Sequence, residues 1–180
     1  MTVFREWWFQ NRKDRKDAEY LCIQVSCALE RYVAHCADVV QDDGLCQGQP
    51  DEDGYSRTQV SPPTFDPTLL KVEWKSLSAS LMYEVLDFPY KAEVASQRVA
   101  IAFDNASPPD FDDGFEERQI QYANLGLAAS MLAAKLRKLV GLPRRAEADW
   151  NPVSYMEERK SAIELRRQQS SGGARIADVL

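Results

Sequence analysis

A chain of 180 residues, 44% hydrophobic and 28% charged, is long enough for one domain with a substantial core, while two domains would both be small. Its formal net charge of −6 excludes a broad nucleic-acid-binding face, which needs a basic field. No stretch approaches about eighteen uninterrupted apolar residues and no signal peptide is read, so a membrane span is not expected and the cytoplasm is the expected compartment.

Residues 1–17 differ from everything after them. Phe4, Trp7, Trp8 and Phe9 form an aromatic cluster, followed at once by Arg12, Lys13, Arg15 and Lys16. These eight residues are the interface candidates. Their aromatics either pack on the domain or a second subunit, or sit at a membrane interface, where Trp favours the headgroup region and bases attract anionic lipid. Asp14 and Asp17 dilute the basic run.

Residues 18–41 predict a helix. Leu21, Val25, Leu29, Tyr32, Cys36 and Val40 recur every three or four residues, and the pattern allows a start as early as Phe4. Asp42-Asp43-Gly44 marks its end. Residues 41–68, rich in Gly, Pro, Asp and Ser, predict a long loop, with Tyr55, Val60 and Phe65 available to tack it down. Lys71-Val72-Glu73-Trp74-Lys75 alternates and is expected to run extended.

A short helix is expected over 77–87, capped by Ser76 or Ser78, and a longer one over 89–104, begun by Asp87 and Pro89. The longer one carries Phe88, Ala92, Ala95, Val99 and Phe103 on one side. Tyr90, Val94 and Ile101 lie on another, so both sides are expected to be covered.

The chain is organised around residues 113–140, a predicted helix with two apolar faces. One gathers Phe115, Tyr122, Leu125, Ala129, Leu132, Leu136 and Leu139; the other carries Ile120, Ala123, Leu127 and Met131. A helix apolar on more than one side needs several neighbours, which places it at the centre of a bundle. Acids before it and bases at its end complement its dipole. A last helix is expected over 154–169, with Asn151-Pro152 and the capping box Ser154-x-x-Glu157 at its start, followed by a flexible tail over 170–180.

Candidate chemistry is sparse. The single histidine, His35, excludes paired Glu-x-x-His di-iron motifs and the zinc helix with two histidines; it is expected to be partly buried beside the apolar stripe. Cys22, Cys27, Cys36 and Cys46 contain no C-x2-C pair and are expected as buried free thiols. The only metal candidates are the carboxylates Glu84 and Asp87, with Glu116 and Glu117 on the facing helix; acids at a helix start also follow from the dipole alone. Residues 12–16 and 135–145 are basic enough for phosphate contacts, but no nucleic-acid-binding motif accompanies them. No catalytic residue, cofactor or cofactor-binding residue is assigned.

The stretches Trp74-Lys75-Ser76-Leu77, Leu81-Met82-Tyr83, Phe115-Glu116-Glu117-Arg118-Gln119 with Tyr122, and Trp150-Asn151-Pro152 resemble those of uncharacterised bacterial helical proteins. Some of those begin with a hydrophobic anchor followed by a basic run like residues 11–16. The resemblance implies a helical domain on the cytoplasmic side of a membrane, with Trp7, Trp8 and Phe9 as its interface, and supplies no chemistry.

The expected fold is therefore all-α: a single-domain bundle of four main helices (18–41, 89–104, 113–140, 154–169) plus a short one, spanning 18–169 behind the aromatic and basic segment 1–17. The expected function is a non-enzymatic interaction or scaffold protein that self-associates, with an anionic membrane surface as the further partner open to its N-terminal segment. The alternatives are a small helical magnesium-dependent phosphate or nucleotide hydrolase, and a nucleic-acid-associated factor, although nucleic acid is not the expected partner.

Overall fold

In the computed structural model the backbone is described for residues 2–143 and 150–177, and the side chains for residues 13–143 and 150–169. The elements in order are α1 (Thr2–Gln41), two 3-10 turns (Pro67–Leu69 and Trp74–Ser76), α2 (Ala79–Leu86), α3 (Phe88–Asn105), α4 (Asp112–Leu139) and α5 (Pro152–Ala177). Among the described residues there is no strand, and the fold is an all-α single domain.

Side-chain contacts fix how the helices run. Gly126 of α4 faces Cys36 of α1 and Met156 of α5, while Arg137 reaches Glu30 at 2.5 Å and Arg118 reaches the end of α1. α1 and α5 are therefore both antiparallel to α4. Phe103 of α3 lies against Gly114 and stacks edge-on to Phe115 with ring centroids 5.1 Å apart, near the start of α4. α1, α3 and α5 thus surround the first half of α4, and the core runs from there along the contact of α1 with α4 to Leu77 and to Val85 of α2. Leu21, Val25, Leu29, Cys36, Val39 and Val40 of α1 are wholly buried, as are Ala129 and Leu136 of α4 and Met156 and Ile163 of α5.

Gly126 matters here for lack of a side chain. A Cβ at that position would lie 2.5 Å from the Met156 sulfur and 3.0 Å from the Cys36 Cβ, so α1 and α5 close on α4 only over a glycine.

Several expectations need correction. Of the second apolar face of α4, Ile120 and Ala123 are buried but Met131 is 66% exposed, as is Leu139 at 57% on the first face. For Leu139 the cause is helix length, whereas Met131 lies one heptad after the exposed Asn124, on a strip of α4 that faces solvent. α3 begins at Phe88 and α5 at Pro152, and both come level with α4 at about residue 130 when counted back from their contacts at Gly114 and Gly126. Beyond that level, among the described residues, α4 packs on α1 and reaches α2 through the Lys135–Glu84 pair. α3 is covered on one side alone: Phe88 and Ala95 are buried, while Tyr90 and Ile101 face solvent.

Residues 74–76 form a 3-10 turn where an extended run was expected. Ser78 caps α2, accepting from the Leu81 N–H at 3.4 Å. Asp87 supplies no side-chain cap to α3 and pairs instead with Lys91 at 3.4 Å. α5 is capped by Asn151, whose side-chain oxygen accepts from Val153 and Ser154, so the Ser154 box is not the start. That helix continues to Ala177, through most of the expected tail.

Candidate functional site

α1 is forty residues long, about 60 Å at 1.5 Å per residue. The pairing of Cys36 with Gly126, carried along two antiparallel helices residue for residue, brings the end of α4 level with about residue 23 of α1. The first buried residue of α1 among those with described side chains is Leu21; Lys13, Asp14, Arg15, Lys16 and Tyr20 are exposed. Residues 2–20 therefore form about 28 Å of helix that outruns α4, the helix that covers the rest of α1. The expected start at residue 18 is corrected accordingly: the aromatic and basic segment is the leading half of α1 and no separate unit.

Of the interface candidates, Lys13, Arg15 and Lys16 are exposed on this overhang, with Arg15 held by Glu19 at 3.0 Å. The side chains of Phe4, Trp7, Trp8, Phe9 and Arg12 lie outside the described residues.

The metal candidates do not converge. Glu84 pairs with Lys135 at 2.6 Å and Asp87 with Lys91. Lys135 lies eighteen residues beyond Glu117 on α4, about 27 Å along the helix, so the two acidic pairs sit far apart. Glu116 and Glu117 line an open groove of about 830 Å³ between α3, α4 and α5, together with Arg98, Ile101 and Asp112. Arg166 and Arg167 reach Glu116 at 2.9 and 3.2 Å, and Arg167 reaches Glu117 at 3.0 Å. Burial alone would raise the Glu117 carboxyl. Hydrogen bonds from Gln121 and Arg167 and the nearby guanidinium charges outweigh it and hold that group below its ordinary value of 4.5. These carboxylates are neutralised by guanidinium groups, and among the described residues no three His, Cys, Asp or Glu groups converge as metal ligands do.

The remaining reactive groups are likewise accounted for. His35 is exposed, against the expected partial burial, because it stands outside the face that meets α4. All four cysteines are free; Cys22 and Cys36 are buried, but Cys27 and Cys46 are exposed, a second correction. Burial pushes the Cys36 thiol and the Tyr32 hydroxyl up, so both stay neutral. In the basic region 135–145, Lys135 and Arg137 are paired to Glu84 and Glu30, and Arg144 and Arg145 lie outside the described residues. No helix among the described residues is long and apolar enough to cross a membrane.

One constellation escaped the sequence reading altogether. Arg118, with a side chain 2% exposed, donates to the Asp42 carboxylate at 2.9 Å, to the Val39 carbonyl at 3.3 Å and to the Val60 carbonyl. Asp42 also accepts from the backbone N–H groups of Gly44, Gln59 and Val60 at 3.0, 2.8 and 2.9 Å. Gln119 donates to the Asp42 carbonyl at 3.1 Å and accepts from Arg159 at 3.0 Å, which ties α5 to the same point. A buried ion pair thus clamps the middle of the long loop onto α1 and α4. The sequence signal was available: Arg118 stands one helical turn before Tyr122 on the covered face, where a charge needs a buried partner.

The class defined by this architecture is an all-α single-domain bundle whose first helix outruns its cover. Comparison of the chain with family models, curated proteins and solved structures gave no match.

Proposed function

We propose that this chain is a non-enzymatic helical interaction protein that self-associates, with the bundle as scaffold and the overhang of α1 as contact element. The observation that carries this reading is the length mismatch between α1 and α4. Beyond the end of α4 the described side chains of α1 at Lys13, Asp14, Arg15, Lys16 and Tyr20 are exposed, and most helices draw their stability from packing an apolar face. Phe4, Trp7, Trp8 and Phe9 supply apolar and aromatic residues of the kind enriched at protein interfaces. The paired state of Glu84, Asp87, Glu116 and Glu117 supports this reading over magnesium-dependent hydrolysis.

A second reading places the overhang on the cytoplasmic face of an anionic membrane. It is favoured by the tryptophans and the bases that follow them. The test compares the full chain with one lacking residues 1–17, by light scattering for mass and by flotation with phosphatidylserine vesicles. Self-association that disappears with the segment is the expected result. A full chain that stays monomeric and does not float refutes both readings.

A further inference from the structure

We propose that the overhang is closed by the same segment of a second copy, the two lying antiparallel about a two-fold axis. The inference rests on the self-association reading and gives it a geometry.

Cys22, Val25, Leu29, Tyr32, Cys36 and Val39 follow one another at alternating spacings of three and four, and each is at most 2% exposed. That alternation defines a coiled-coil-like seam, and here α4 covers it together with Phe65 of the loop and Phe88 of α3, which stack edge-on against Tyr32. Counted backwards without a break, the same alternation passes through Ala18, Arg15, Asn11, Trp8 and Phe4. The backbone is helical throughout, so these positions share the face of the buried ones. The seam on α1 is nearly twice as long as its cover. At the junction Leu139 of α4, one heptad after the buried Leu132 and on the same face, is 57% exposed.

The composition of the open half selects the occupant. Asn11 and Arg15 interrupt the apolar positions, which disfavours a continuous hydrocarbon contact, whereas a polar seam residue in a coiled coil sets register and partner number. Orientation follows from geometry and charge. A parallel pair brings both bundles to the same end, where each α4 already occupies the seam, and sets Arg15 against Arg15. An antiparallel pair continues the direction of α4 along the seam and leaves the two bundles at opposite ends. Its layers set the Trp8 position against the partner copy's Asn11 position and the Phe4 position against its Arg15 position, so no layer meets its own like charge. The contact is isologous and closes at two copies.

The experiment uses the full chain with the exposed Cys27 and Cys46 replaced by serine. Phe4→Cys and Arg15→Cys are made as separate variants, mixed and mildly oxidised, beside light scattering of the uncrosslinked chain and of a Trp8→Asp variant. A dimer is expected, with the mixed disulfide exceeding either symmetric one about tenfold. Trp8→Asp should weaken the dimer about 30-fold, the effect of losing an interface hot spot. Predominant crosslinking between two Arg15→Cys chains means a parallel pair and overturns the geometry, while leaving self-association through the overhang standing. A dimer that survives deletion of residues 1–17 overturns both. A monomer that floats with phosphatidylserine vesicles replaces the second copy by lipid and overturns this inference, while the overhang remains the contact element.

Discussion

Replacing Arg118 with methionine probes the clamp on the long loop. The side chains of Arg118 and Asp42 are 2% and 1% exposed, so the substitution leaves a carboxylate buried without its counter-ion. Breaking such a pair from one side costs about 3–5 kcal/mol. Three backbone N–H groups still point at Asp42 in the variant, which places the cost near the lower end, about 3 kcal/mol, with the Val39 and Val60 carbonyls each losing a donor. At a urea dependence of about 2 kcal/mol/M, typical of small domains, the unfolding midpoint should fall by about 1.5 M, read by far-UV circular dichroism. Trypsin gives a local readout, because Arg57 lies in the exposed part of the loop and should be cut faster once the clamp is gone. Asp42→Asn combined with Arg118→Met should be no worse than the poorer single variant, since removing both charges leaves neither one orphaned. A single variant whose midpoint stays within about 0.25 M of the parent would show that Asp42 does not depend on Arg118, because a buried charge cannot lose its partner at so small a cost.

Three further outcomes follow from the burial pattern. Leu132→Ala should cost about 2–5 kcal/mol and its neighbour Met131→Ala under about 0.5 kcal/mol, both by denaturant titration; equal costs would contradict the orientation of α4. An aromatic disulfide reagent should titrate Cys27 and Cys46 in the native chain, and Cys22 and Cys36 only after unfolding; four fast thiols would contradict the packing of α1. Glu117 has a folded pKa below its unfolded value of 4.5, so its contribution is fully present above about 4.5 and is lost as pH falls through the lowered value. The stability difference between the parent and Glu117→Gln should therefore be present at neutral pH and shrink in acid; a difference that grows in acid would reverse the sign.

The fold class was legible because period and punctuation agree along most of the chain. Leu21 to Val40 keeps one stripe, Gly141 takes the left-handed conformation that ends α4, and Asn105 to Pro109 separates α3 from α4 as expected. What could not be read is which apolar faces find a neighbour. Met131, Ile101 and Tyr90 satisfy the pattern of covered residues, yet Met131 stands on the strip of α4, and Ile101 and Tyr90 on the side of α3, that face solvent, which sequence spacing does not encode. The Arg118–Asp42 pair was missed for a related reason: its members are separated by most of the first two-thirds of the chain, and only the antiparallel pairing of α1 with α4 brings them together. The overhang was half legible. The pattern allows the early start of α1, but its seam passes through Asn11 and Arg15, which blunt an apolar pattern.

The common starting level of α3 and α5 divides the molecule into two ends of unequal cooperativity. Around Ile120 to Ala129, α4 is enclosed by three long helices, and a backbone amide there exchanges its proton only when most of the domain opens. Past residue 130 the same helix has fewer partners, so partial openings from that end cost less than global unfolding. The overhang leaves the molecule at this looser end. A partner that grips it and reaches Leu139 would slow hydrogen exchange in the last turns of α4, and so couple an encounter at the tip to the rigidity of the helix on which the whole bundle is assembled.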